Sequence, residues 1–195
     1  MTAIRWTRGT LLRAAIAGGA VAAGGAVMAR DSAPLAAQDE GADADILNLF
    51  LTLEHVQADF YRAAIRTDRL TDELLRFATT VGAQEREHVA FLERHLGDRA
   101  GRPPQSSFDH LLATPESFRD AAIELEEAAI AAYIGQAANL ARPTLASVAT
   151  LVSVEARQVA WVRDLAHTSP APRAADPARP AEEILADLRR RGFIE

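Results

Sequence analysis

The chain says the same thing twice. Leu53-Glu54 is followed by Tyr61, seven residues after the glutamate, and then by Glu85-x-x-His88-Val89-Ala90-Phe91-Leu92. Leu125-Glu126 is followed by Tyr133 at the same spacing, and then by Glu155-x-x-Gln158-Val159-Ala160-Trp161-Val162. The two glutamates of a copy stand 31 residues apart in the first and 29 in the second. A repeated helix pair, with a carboxylate on each helix and Glu-x-x-His on the second, is the ligand plan of a four-helix bundle with a dinuclear carboxylate centre. Gln158, where that plan places a histidine, is its one break.

Hydrophobic periodicity supplies the helices. Leu47, Leu51, Glu54, Ala58, Tyr61 and Ile65 recur in alternating steps of four and three, the stripe of a helix over about 43–67. Leu74, Ala78, Val81, Glu85, His88 and Leu92 mark a second over about 70–97, with Gly97 as its stop. The break at 98–114 is the longest between the four helices and contains Gly101, Pro103 and Pro104. Thr114-Pro115, a capping residue followed by proline at the first helical position, opens a third helix to about 140. Pro143 marks a tight turn, and a fourth helix follows over about 143–167. A tail with Pro170, Pro172, Pro177 and Pro180 ends in a short amphipathic helix through Ile184, Leu185 and Leu188. The expected fold is all-α: two antiparallel helix hairpins joined by a long crossover, plus a short C-terminal helix.

Composition narrows the chemistry. With no cysteine, disulfides, thiolate metal sites and cysteine nucleophiles are excluded. All 21 basic residues are arginine. The net charge is −6, but residues 1–37 carry +3, from Arg5, Arg8, Arg13 and Arg30 against Asp31. Subtracting that leaves −9 on the remainder, which argues against a nucleic-acid partner. Arg5, Arg8 and Arg13 precede an uncharged, Ala- and Gly-rich run from Ala14 to Ala29, with a small-residue exit near Ala36-Ala37. This is the plan of an export leader. Thr7-Arg8-Gly9-Thr10-Leu11-Leu12-Arg13 resembles a twin-arginine signal, with Gly9 at the second arginine position, so ordinary secretion stays open. The expected location is periplasmic, cell-envelope or extracellular, with transient membrane contact, or a retained anchor, through the leader. The chain thus divides into a leader over 1–37, a bundle over 38–168 and a tail over 169–195.

Glu54, Glu85, Glu126 and Glu155 all fall inside apolar stripes. An ionised group on the inner face of a bundle costs several kcal/mol unless it is paired or ligates a cation. Four at matched positions call for a common counter-charge, which two divalent ions would supply. Glu85 and His88, three apart, share a helix face with β-carbons about 5–6 Å apart. Oxygen and imidazole donors suit iron or manganese, with zinc as an alternative occupant. The candidate metal residues are therefore Glu54, Glu85, His88, Glu126, Glu155 and Gln158. The competing reading pairs single glutamates with an arginine such as Arg86 or Arg157. Glu124 and Glu127 compete with Glu126 by register. Glu87 and Glu93 read as solvated. His55, His95, His110 and His167 read as surface or capping residues. Tyr61 and Tyr133 read as core or as supports of the ligands.

Gln158 leaves three readings open, since a neutral amide cannot replace imidazole for a transition metal. One metal position is kept and the other weakened; or Gln158 holds a metal-bound water; or the metal is lost, with Gln158 and Arg157 satisfying the carboxylates.

On the segments Leu53-Glu54 to Tyr61, Glu85 to Leu92, Leu125-Glu126 to Tyr133 and Val154 to Gln158, the chain resembles a ferritin-like domain protein. The nearest resemblance is to exported bacterial ferritin-like proteins related to desiccation-associated proteins. It covers about 43–167 and the leader. It implies a di-iron-type site built from Glu54, Glu85 and His88 of one hairpin and Glu126 and Glu155 of the other, with Gln158 standing where such proteins usually carry histidine. Two functions follow as expectations. One is iron or manganese chemistry on oxygen, peroxide or ferrous iron. The other is a non-catalytic structural or stress-protective envelope protein with a relict metal site. Whether the protein is an enzyme stays open, as does a homodimer through an Ala-rich helix face.

Overall fold

The computed structural model describes residues 40–195, so the leader lies outside the described residues. Five α-helices and no strands occur among them. They are α1 Glu40–Arg66, α2 Asp72–Leu96, α3 Pro115–Gln136, α4 Arg142–Leu165 and α5 Ala181–Arg190. None is long and apolar enough to cross a membrane.

The helix ends have local causes. Gly97, at φ 57°, takes the left-handed turn that closes α2, and its N–H bonds to the Glu93 carbonyl. Thr114 and Ser117 cap α3 reciprocally: each side chain accepts from the other's backbone N–H. α5 follows Pro180 and carries Glu182 and Glu183 in its first turn and Arg189 and Arg190 in its last, matching the helix dipole. Two expectations are corrected. Pro143 lies in the first turn of α4 rather than in a separate turn, because proline lacks the N–H that position does not use. α3 ends at Gln136, short of 140, where Ala137–Asn139 tighten into a 3-10 turn and Leu140 enters the core in extended conformation.

Hydrogen bonds fix the topology. At one end of the bundle, Asp43 near the start of α1 accepts from the Ala141 N–H (3.0 Å) and the Thr144 hydroxyl (2.5 Å), at the α3–α4 junction. Asn48 there donates to the Arg99 carbonyl (3.0 Å) and accepts from the Gly101 N–H (2.6 Å), just past α2. At the other end, Phe60 of α1 stacks on Phe118 of α3 at 5.5 Å and meets Phe108 edge-on at 5.5 Å. Phe77 of α2 meets Trp161 of α4 there at 5.2 Å. The segment 97–114 therefore runs the length of the bundle between α2 and α3. α1 packs on α2 and α3, and α4 packs on α3 and α2. The tail returns along α3, where Arg179 N–H reaches the Ala131 carbonyl (3.2 Å) and Ile184, Leu188 and Phe193 are buried.

The core is layered. Phe60, Phe77, Phe108, Phe118 and Phe193 close one end. Small residues of α3 (Ala121, Ala122, Ala128, Ala129, Ala131 and Ala132) allow close helix packing along the middle. Gly82 of α2 lies close against α1: a β-carbon there would lie 2.8 Å from the Tyr61 β-carbon. That approach seats Tyr61 over the polar layer at mid-bundle.

Candidate metal centre

All six sequence-derived candidates are buried, and they meet in one polar layer. Glu54, Glu85, Glu126 and Glu155 have 0 % exposure, His88 6 % and Gln158 2 %. The register is as the repeat requires: Glu126 points inward, whereas Glu124 pairs with Arg191 and Glu127 with Arg163 outside the layer. Glu87 and Glu93 are exposed.

His88 is the hub. Its Nδ1 lies 3.2 Å from Glu54 Oε2, 3.1 Å from Glu85 Oε2 and 3.0 Å from Glu155 Oε1. One ring nitrogen can direct one N–H, so three carboxylate oxygens around it are more acceptors than it can serve. Glu155 Oε1 lies in ion-pair range but off the hydrogen-bond axis, and has no hydrogen-bond partner. The ligand atoms of Glu54, Glu85, His88 and Glu155 all fall within 4.8 Å of one another, a group that could hold a metal ion. Glu126 stands outside that group.

The tyrosines bind across the bundle. Tyr133 O–H donates to Glu54 Oε1 at 2.5 Å, and Tyr61 O–H donates to Glu126 Oε1. Each tyrosine thus serves the glutamate of the other copy of the repeat, because α1 and α3 run antiparallel. The arginine alternative fails: Arg86 turns back to the Gly82 carbonyl at 2.6 Å and Arg157 is exposed. Among the described residues, no arginine pairs with the four glutamates. Of the other histidines, His55 is half-buried with Glu93 4.0 Å away. His95 sits against the Phe91 carbonyl, His110 against the Arg191 carbonyl, and His167 is exposed.

Sequence reasoning missed Gln57. It is 1 % exposed, and its Nε2 donates to Glu126 Oε2 (3.0 Å) and Glu155 Oε2 (3.2 Å). Its signal was available as a polar residue three after Glu54, on the same face and flanked by Val56 and Ala58. Gln158 donates from Nε2 to Glu85 Oε1 (2.7 Å) and Gln84 Oε1 (3.1 Å).

The electrostatics follow from burial. Desolvation, then the Glu155 charge, raise the pKa of Glu85 well above the ordinary carboxylate value, against the His88 hydrogen bond. Desolvation and Glu155 do the same to Glu126, against Tyr61. Glu155 is raised by desolvation and by Glu54, against His88. Burial alone would lower the His88 pKa, but Glu155, Glu54 and Glu85 more than offset it and carry it to about 12. Burial, and the glutamate each one contacts, hold both tyrosines well above 10.0, so they stay protonated donors. Without a cation, this layer keeps protons that a cation would displace.

A family model described as the ferritin-like domain matches residues 42–168. The chain belongs to the ferritin-like domain family. No curated protein matches it. The residues suit a metal of this family on their own chemistry. The donors are hard oxygens plus one imidazole, the carboxylates are fully removed from water, and Glu155 Oε1 has no hydrogen-bond partner. A surface depression lined by Ala83, Gln84, Arg86, Glu87 and Val154 reaches His88.

Proposed function

We propose that this is an exported redox protein that holds iron or manganese in the bundle core and removes peroxide or ferrous iron. The observation that carries the reading is the convergence of Glu54, Glu85 and Glu155 oxygens on His88 Nδ1 at 3.0–3.2 Å within a ferritin-like bundle. Bound iron or manganese supplies a centre that changes valence reversibly. The chain supplies the rest. Glu54, Glu85 and Glu155 would set the charge that holds the ion, and His88 would have to release its Nδ1 proton to ligate it. Tyr133 holds Glu54 in orientation through a buried O–H bond. The aromatic layer from Phe60 to Phe118 keeps water out of one end. With ferrous iron as the reducing substrate, the overall reaction would take one electron from each of two ferrous ions, and hydrogen peroxide would accept both with two protons to give two waters.

The test is to load the full chain with ferrous or manganous ion, desalt, count metal by elemental analysis and follow peroxide loss and ferrous oxidation. Tight metal and a rate above that of the free ion support the reading. A folded protein that keeps no metal would overturn it.

A second reading has its own support. Gln57, Gln158, Tyr61, Tyr133 and His88 together place donors on all four carboxylates. That is the arrangement of a structural or stress-protective bundle with a relict polar core. It predicts no change in Tm on adding iron, manganese or zinc.

A further inference from the structure

The polar layer is two half-sites, and the structure fills them differently. The repeat relates Glu54 to Glu126, Tyr61 to Tyr133, Glu85 to Glu155 and His88 to Gln158. Glu85 and Glu155 each turn one oxygen to either half. Glu85 Oε2 and Glu155 Oε1 face His88, where Glu54 Oε2 joins them. Glu85 Oε1 and Glu155 Oε2 face the other half, together with Glu126 Oε2. These three oxygens are where the family plan would seat a second ion.

Amide N–H groups take all three. Gln158 Nε2 donates to Glu85 Oε1, and Gln57 Nε2 donates to both Glu155 Oε2 and Glu126 Oε2. Gln57 has no counterpart in the repeat, because the matching position on α3 is Ala129. Among the buried side chains that bond to the four glutamates, the departures from the repeat are therefore Gln57 and Gln158, and both fall on the same half. Turning either amide over would set Oε1 against carboxylate oxygens, so the N–H orientation is the one the cluster favours. The Oε1 atoms of both glutamines are left buried without partners, so facing N–H toward the carboxylates outweighs satisfying those oxygens.

We propose that the Gln57 and Gln158 amides stand in for the second cation, so that the bundle holds a single divalent ion on Glu54, Glu85, His88 and Glu155. The proposal rests on the metal reading above and deepens it. Gln57 and Gln158 act as positioning residues: they hold the outer oxygens of Glu85 and Glu155 so that the inner ones face His88.

The experiment is manganous loading of the full chain, with metal counted by elemental analysis and its environment read by electron paramagnetic resonance. Four proteins are compared: native, Gln158→His, Gln57→Ala and Gln57→Ala/Gln158→His. The expected result is one ion per chain, with the six-line spectrum of an isolated manganous ion, in the native protein and both single variants. The double variant rises to two ions with an exchange-coupled spectrum. Two ions in the native protein overturn the inference while leaving the metal reading intact. Two ions in Gln158→His alone overturn the role of Gln57. No ion in a folded native protein overturns the metal reading itself, and this inference with it. If the double variant does not fold, Gln57→Glu/Gln158→His, which conserves volume at position 57, replaces it under the same criteria.

Discussion

The two half-sites of the polar layer share a plan and differ in what balances it. In the first, His88 brings a positive charge to three carboxylates, while in the second Gln57 and Gln158 bring neutral amide hydrogens to the matching oxygens. The tyrosine bonds are alike in both, Tyr133 on Glu54 and Tyr61 on Glu126. The scaffold has kept its twofold pattern, and the site has not. A buried carboxylate needs a partner, but a proton donor or a cation will serve. Changing which one serves moves a half-site from ligation to structure without disturbing the helices around it.

The widest gap between the halves opens at His88 and Gln158. His88→Ala leaves Glu54, Glu85 and Glu155 without their positive partner. The expected loss in the metal-free protein is about 3–5 kcal/mol by denaturant unfolding, with loss of tight metal. Gln158→Ala removes one amide bond to Glu85 and is expected to cost about 1–3 kcal/mol and to leave one metal bound. Equal effects of the two changes would erase the distinction drawn between the half-sites.

The tyrosines sharpen it. Tyr133→Phe and Tyr61→Phe should each destabilise the metal-free protein by about 1.5–3 kcal/mol, since each removes a donor to a buried carboxylate. Metal affinity should separate them. Tyr133 orients Glu54, inside the four-residue group, and its loss should weaken manganese by about 10–100-fold. Tyr61 serves Glu126, outside the group, and its loss should leave affinity nearly unchanged. Titration calorimetry on both variants reads the difference.

A packing contrast runs beside the chemical one. Gly82, three residues before Glu85, has Val152 as its counterpart three before Glu155. Gly82→Ala forces a β-carbon onto Tyr61 and should cost about 1–3 kcal/mol. Val152 is only half-buried, and Val152→Ala should cost about 1 kcal/mol or less.

The last prediction concerns pH. Glu85, Glu126 and Glu155 are raised above 4.5, and His88 is raised from 6.5 to about 12. A raised group contributes stability below its unfolded pKa and loses it as pH climbs through its folded one. Both kinds of group therefore make the metal-free protein less stable as pH rises, the carboxylates from 4.5 upward and His88 from 6.5 towards about 12. Metal binding expels these protons, so manganese affinity should rise with pH by about tenfold per unit for each proton released. Tm measured from about pH 5 to about pH 9 should fall without metal and hold level with it. A flat profile in both would contradict the electrostatic account.

The helices were legible because each carries its own evidence: period, cap and stop lie within one stretch, as at Thr114-Pro115 and Gly97. The four glutamates were legible because a repeat marks them twice. Gln57 was harder to read, for its place on the Glu54 face was visible but no second copy of the repeat marked it. The cross-bonding of Tyr61 to Glu126 was also hidden. Along α1 the tyrosine lies two turns from Glu54, and only the antiparallel docking of α3 brings the other glutamate to its level. Pro143 read as a break because proline ends helices as well as starting them; the backbone alone decides which.

Anomalous diffraction from a crystal of the manganese-loaded protein tests the central claim most directly. The account predicts a single strong peak bounded by His88 Nδ1 and the carboxylates of Glu54, Glu85 and Glu155, with Gln57 Nε2 still on Glu126 and Glu155. No peak in the polar layer of a loaded protein, or a peak seated among Gln57, Gln158 and Glu126 instead, would contradict it.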